Sequence, residues 1–160
     1  MKATERGLSL LELLITLAVL SVLLTIGALN FGTFAQQRRL DEAARTVGET
    51  LREIGSEAAG RGEIVTFTLE DGGNVLSWQG QDADSTERRV LPHGASVNIT
   101  QLGSGGTAAV SSFPFTGRGF PDKGYSFSVT LNDDTKPVNL LATGAVVYLA
   151  TQEAAQEAAQ

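Results

Sequence analysis

The sequence predicts an α+β fold. A long N-terminal hydrophobic α-helix, with a transmembrane half and an amphipathic half, packs on an antiparallel β-sheet head. Three observations carry this expectation. Leu8–Leu29 holds a single charge, Glu12. From Leu40 to Ala58 apolar residues recur every three or four positions, and after Gly62 the apolar period shortens to two. A helix repeats every 3.6 residues and a strand every two, so the change of period marks a change of element.

The apolar run starts Gly7-Leu8-Ser9-Leu10-Leu11-Glu12-Leu13-Leu14. As a helix, Leu8–Leu29 would rise roughly 33 Å at about 1.5 Å per residue, the thickness of a bilayer hydrocarbon core. An ionised acid at mid-depth costs about 2.5–3.5 kcal/mol on translocon scales, and less towards an end. Glu12 therefore needs a reason to be there. Ahead of it lies the polar, mildly basic Met1–Gly7. A secretory signal shares the basic start, but its apolar stretch is usually about 7–15 residues long and ends at a small-x-small site. Ile26-Gly27-Ala28 is a poor match to such a site. An uncleaved anchor fits better, with Lys2 and Arg6 on the cytoplasmic side, although Arg38 and Arg39 pull against that orientation.

Composition constrains the chain beyond the anchor. The rest of the 160 residues suffices for one small domain. There is no cysteine, so disulfides and thiolate metal sites are excluded. Formal net charge is −6, which argues against a protein whose main task is coating nucleic acid or anionic lipid. Losing residues 1–7 removes two cations and one anion and takes the balance to −7.

The second half of the helix is read from Leu40, Ala43, Ala44, Val47, Leu51, Ile54 and Ala58, an apolar stripe one face wide. Asp41–Arg45 and Glu57–Arg61 are i, i+4 pairs expected on the solvated side. Gly60-Arg61-Gly62 supplies the stop. The first proline is Pro92, which leaves Gly27 and Gly32 as the weak points of the apolar half. Val65–Leu69 and Val75–Trp78 read as a hairpin around Asp71-Gly72-Gly73. Arg88–Leu91 and Val97–Leu102 read as strands about a Pro92-His93-Gly94 turn, and Ser104-Gly105-Gly106 as a flexible break. Tyr125–Leu131 alternates cleanly, Asn132–Pro137 is expected to link it to Val138–Leu141, and Gly144 to start the turn into Ala145–Ala150.

Gly7 followed by Leu8 and the lone Glu12 resembles the class III signal of type IV pilins and type II secretion pseudopilins. Weaker cues narrow the likeness to the GspH/FimT-like minor pseudopilins. These are Arg39-Leu40, Ala43-Ala44, Leu51, Glu57-Ala58 and Arg61-Gly62 before Val65-Thr66-Phe67, together with Phe113-Pro114-Phe115-Thr116-Gly117 before a strand and Gly144-Ala145-Val146. The resemblance implies a leader of residues 1–7, cleavage by a prepilin peptidase between Gly7 and Leu8, and N-methylation of Leu8, where Phe or Met is more usual. It implies a membrane and filament-core helix over 8–35, an amphipathic helix over 36–62, a β-rich head of two sheets over 63–151 and a tail over 152–160. It implies a structural subunit of a pseudopilus or pilus, at or near the tip, without catalytic residues, cofactor or metal. The partners implied are other pilins or pseudopilins, the peptidase, the inner membrane with the head on its periplasmic side, and secreted cargo.

The resemblance also offers a role for Glu12 in assembly, as partner of the new Leu8 ammonium on a neighbouring subunit. The local alternative is that Glu12, in the first turns of its own helix and at i+4 from Leu8, meets the macrodipole and its own terminus. Some FimT-like proteins bind DNA through a basic C-terminal segment after a glycine, which gives a competence pilin as an alternative reading. Here Gly144–Leu149 contains no base, which disfavours DNA as a partner. A membrane-anchored envelope binding module is the third reading. His93, the only histidine, is expected to be a turn residue rather than a general base. Asp133-Asp134 with Asn132 could ligate calcium but lacks the alternate spacing of a calcium loop. Arg88-Arg89, Arg118 and Lys123 could form a basic patch or stand as separate solvated charges. Gly117-Arg118-Gly119 reads as a loop, and Gln152–Gln160 as a frayed tail.

Overall fold

The structure is a computed structural model. It describes residues 10–79, 85–103 and 109–149, except for the side chains of 26–31. The expected leader, Gly7, Leu8, the 104–106 break and the 152–160 tail lie outside these residues, as does the side-chain environment at Gly27. The chain divides into two compact units, Met1–Gln37 and Arg38–Gln160. Helix α1, Leu10–Arg61, contributes to both. In the first unit every described residue is helical.

In the second unit, the head, α1 buries Leu40, Ala43, Ala44, Val47, Leu51, Ile54 and Ala58, the same seven positions that the periodicity selects. Thr50 joins them because its hydroxyl donates to the Thr46 carbonyl at 2.8 Å, which satisfies its own donor. The helix ends where Gly62, at φ +70°, turns left-handed and its N–H reaches the Ala58 carbonyl at 2.9 Å.

Eight strands follow: β1 Val65–Glu70, β2 Val75–Gln79, β3 Thr86–Val90, β4 Ser96–Gln101, β5 Ser112–Phe115, β6 Tyr125–Leu131, β7 Asp134–Leu140 and β8 Val146–Tyr148. They form two antiparallel sheets, ordered β3-β2-β1-β5 and β4-β6-β7-β8. The inward side chains of both sheets meet the helix stripe in one core. Aromatic rings join the sheets: Phe113 of the first stacks on Tyr125 of the second with centroids 4.1 Å apart, and Phe67 meets Phe127 edge-on at 6.1 Å. The Tyr125 hydroxyl donates to Asp122 Oδ1 at 2.7 Å, and burial together with that bond raises the phenol pKa above its ordinary value.

Two segments depart from the sequence reading. Asn132–Pro137 is not a link. The turn is confined to Asn132 and Asp133, with Asn132 at φ +54°, and Asp134–Pro137 already pairs in register with Leu131–Ser128. Asp, Thr, Lys and Pro have turn-like composition, but pairing with a fully alternating partner outweighs local propensity. Phe113-Pro114-Phe115 does not merely precede a strand; it is the centre of β5, paired with β1. As an edge strand β5 tolerates the proline, while Phe113 and Phe115 on either side point into the core.

The helix approaches its neighbours closely at two glycines. A Cβ on Gly55 would lie 2.8 Å from the Gly119 carbonyl oxygen, and one on Gly48 would lie 2.1 Å from Tyr148 Oη. Alanine in a helix gains about 1 kcal/mol over glycine, but a clash with backbone cannot relax as a ring end can. Gly55→Ala should therefore destabilise the protein by about 1–3 kcal/mol in chemical denaturation. Gly48→Ala should cost less, because the Tyr148 ring can swing aside.

Candidate functional site

The described side chains from Leu10 to Thr25 form a mainly apolar surface. Glu12 stands exposed in the first turn of α1. Every Leu, Ile and Val from Leu10 to Leu24 is 53–80% exposed, all round the helix. The hydroxyls within this run are turned to their own backbone: Thr16 donates to the Leu13 carbonyl at 2.9 Å, Ser21 to Ala18 at 2.8 Å and Thr25 to Ser21 at 2.8 Å. A helix that is apolar all round and has satisfied its own hydroxyls suits an apolar medium, either lipid or the packed helices of an assembly. Among the described residues, no helix is long and apolar enough to cross a membrane. The expected Leu8–Leu29 span includes Leu8, Ser9 and the side chains of 26–29, which lie outside them. Gly7 and Leu8, the expected cleavage and methylation positions, lie outside them too, so the relation of Leu8 to Glu12 stays an expectation.

On the head the charged side chains serve the fold more than the sequence reading allowed. Glu57 does pair with Arg61, but it is not on a solvated face: its other oxygen accepts the Trp78 indole N–H at 2.9 Å, so the pair ties α1 to β2. Asp41 meets Lys136 of β7 rather than Arg45. Arg88 and Arg89, neighbours on a strand, point to opposite faces. Arg88 pairs with Glu70, which also accepts from Ser77 Oγ at 2.8 Å. Arg89 reaches Glu53 at 2.9 Å and Thr50 Oγ1 at 3.1 Å, with its guanidinium 5.7 Å from the Trp78 ring centre. The two arginines therefore do not share a face, and each is engaged by an acid of the head. His93 sits in its turn at φ +60°, with Nε2 2.9 Å from Glu42 Oε2. No group of three metal-ligating side chains occurs among the described residues.

A shallow groove of about 380 Å³ lies beside β8, lined by Asp41, Arg45, Glu49, Lys136 and Tyr148. Tyr148 leans over the helix at Gly48, and its hydroxyl accepts from Arg52 Nη1 at 3.3 Å. The groove was not legible in the sequence. Its trace there is Gly48, a glycine in the interior of the helix.

Residues 2–28 match the family described as the prokaryotic N-terminal methylation motif. The head's two-sheet topology has solved counterparts. The type IV minor pilin FimU of Pseudomonas aeruginosa aligns with a TM-score of 0.57 and 16% identity over 74% of this chain and 94% of that one. The chain has the minor-pilin fold. The minor pseudopilin EpsH from the type 2 secretion system of Vibrio cholerae aligns with TM-scores of 0.53 and 0.51 in two structures. Identities are 15% and 18%, over 71% and 69% of this chain and 96% and 95% of the EpsH chains. No curated protein matches by sequence. The helix on two four-stranded sheets is thus the minor-pilin architecture expected from the sequence, and the solved proteins aligned with it above are a minor pilin and a minor pseudopilin.

Within this head, Arg88 and then Ser77, both as hydrogen-bond donors, hold the Glu70 carboxyl below its ordinary value of 4.5. Its contribution to stability is complete above the unfolded-state value and is lost as pH falls through the lower folded-state value. Arg88→Ala should move the Glu70 midpoint up towards 4.5 in an NMR titration and weaken the acid dependence of unfolding. An unmoved midpoint would refute Arg88 as the cause.

Proposed function

We propose that the chain is a minor pilin or pseudopilin subunit, cut by a prepilin peptidase between Gly7 and Leu8, methylated at Leu8, and built into a pilus or type II secretion pseudopilus through its N-terminal helix. The observation that carries this reading is a coincidence of place. The methylation motif of residues 2–28 overlaps the stretch of α1 whose apolar side chains are exposed on every side. A surface of that kind needs an apolar environment, and a subunit that is first anchored in the inner membrane and later packed among like helices has one at each stage.

Glu12 gains a purpose on this reading. Cleavage leaves an ammonium on Leu8, and two opposite charges in apolar surroundings relieve one another's desolvation only when paired. A neighbour's terminus supplies the partner on assembly. The head serves as the exposed, partner-specific part of the subunit, and a place at the filament tip with access to secreted cargo is in keeping with that. DNA uptake has less support: Gly144–Leu149 has no cation and the chain is acidic overall.

Mass spectrometry of the protein from its native membrane should find a chain that begins at Leu8 and carries one added methyl group; an intact Met1 would defeat the reading. Glu12→Ala should leave cleavage and membrane insertion intact while abolishing recovery of the subunit in sheared filaments. Normal recovery would remove the intersubunit role of Glu12.

A further inference from the structure

A sheet ends in edge strands, and each edge offers unpaired N–H and C=O groups to any extended chain that reaches it. The two sheets of the head end in β3, β5, β4 and β8. Three of these are blunted. β3 carries Glu87, Arg88 and Arg89. β5 contains Pro114 and is bridged at Phe115 by Pro121. β4 is bridged at Thr100 by Ala109, and the Ile99 carbonyl accepts the Val110 N–H at 2.9 Å. β8 has none of these protections. It reads Val146-Val147-Tyr148, and from Val138 to Leu149 there is no acidic or basic residue. Val147, Tyr148 and Leu149 are each more than a third exposed.

The register shows which groups of β8 are open. The Leu141 N–H reaches the Ala145 carbonyl at 2.9 Å and the Leu149 N–H reaches Pro137 at 3.1 Å, with Val147 opposite Asn139 between them. Residues 145, 147 and 149 therefore use their main-chain groups on β7, and Val146 and Tyr148 turn theirs away from it. Among the described residues nothing hydrogen-bonds to those outward groups. The open edge runs beside the groove on the flank of α1, which Arg45 lines, and Arg52 stands next to it, donating to the Tyr148 hydroxyl. Lys136 is committed to Asp41, which leaves two guanidiniums against the single carboxylate of Glu49.

We propose that β8 accepts an extended segment of a partner protein as an added strand, and that this segment alternates apolar with acidic side chains. Successive side chains of a strand point to opposite faces. Those on the same side as Tyr148 would face Arg45 and Arg52, where an acid is matched. Those on the other side would lie with Val147 and Leu149, where an apolar residue is matched. The main-chain bonds supply affinity and the alternation supplies selectivity. Residues 150–160 of this chain are the weaker candidate, because they are rich in alanine, glutamate and glutamine, residues poorly suited to strands.

The test uses the full chain in detergent micelles and two labelled peptides, one alternating valine with glutamate and the other valine with lysine. By fluorescence anisotropy the glutamate peptide should bind about tenfold more tightly than the lysine peptide, and it should shift the amide signals of Val146 and Tyr148. Arg45→Glu, at an exposed position, should reverse the preference. Val146→Pro removes an outward N–H without touching the β7 ladder and should abolish binding of both. Should Val146→Pro unfold the head, the charge reversal at Arg45 still decides. The proposal is overturned if neither peptide binds, if both bind alike and Arg45→Glu changes neither, or if binding appears only after residues 150–160 are removed. The last result would make the chain's own C-terminal segment the occupant of the edge.

Discussion

The head depends on one shared core, in which seven side chains of a single helix face close a space that neither sheet could close alone. Leu40, Ala43, Ala44, Val47, Leu51, Ile54 and Ala58 are all essentially buried, and the inward residues of both sheets pack in the same cluster. Each four-stranded sheet has one apolar face, and the small residues among the seven let the helix lie close to it. The Gly55–Gly119 approach is the extreme case, with two main chains too near for a side chain between them. Removing such a helix would expose two apolar sheet faces at once, so the head and the second half of α1 form one cooperative unit.

The charges are arranged around that core rather than within it. Glu57 with Trp78 and Arg61, Glu53 with Arg89, and Asp41 with Lys136 each tie a flank of the helix to a strand. Pairs at such half-exposed positions contribute little individually. Their value lies in direction: acids on the helix meet cations on the strands on both flanks, which resists rotation of the helix about its own axis. Among the described residues β8 is a strand edge left uncovered, with Arg45 and Arg52 on the helix flank beside it, which is why that side of the head stands out as a surface for something else.

The fold was legible to the extent that it rests on periodicity. The helix stripe, the first hairpin and the alternation of Tyr125–Leu131 all emerged at the expected residues. The one misread segment has a clear cause. Asp134–Pro137 looks like a link because it combines proline with polar residues, yet it is strand because a strongly alternating neighbour pairs with it, and Phe113–Phe115, which the sequence reading assigned to no strand, pairs with β1. The candidate site was legible only in part. Glu12 and the apolar run stood out as a costly acid in a charge-free stretch, whereas the Glu57–Trp78 bond and the β8 groove join residues 21 and 100 positions apart in sequence, where no local pattern reaches.

By itself the sequence determined the succession of a long helix and then strands, the face of the helix that would be buried, and the unusual chemistry of an apolar N-terminal stretch with one acid, because each is a matter of spacing along the chain. Tertiary structure alone decided which strands neighbour one another, which charges find partners, and which edge is left open. Those outcomes depend on register and on distances between segments remote in the chain. A side chain's partner is set by where the competing surfaces finally pack, and no residue carries that information in its own neighbourhood.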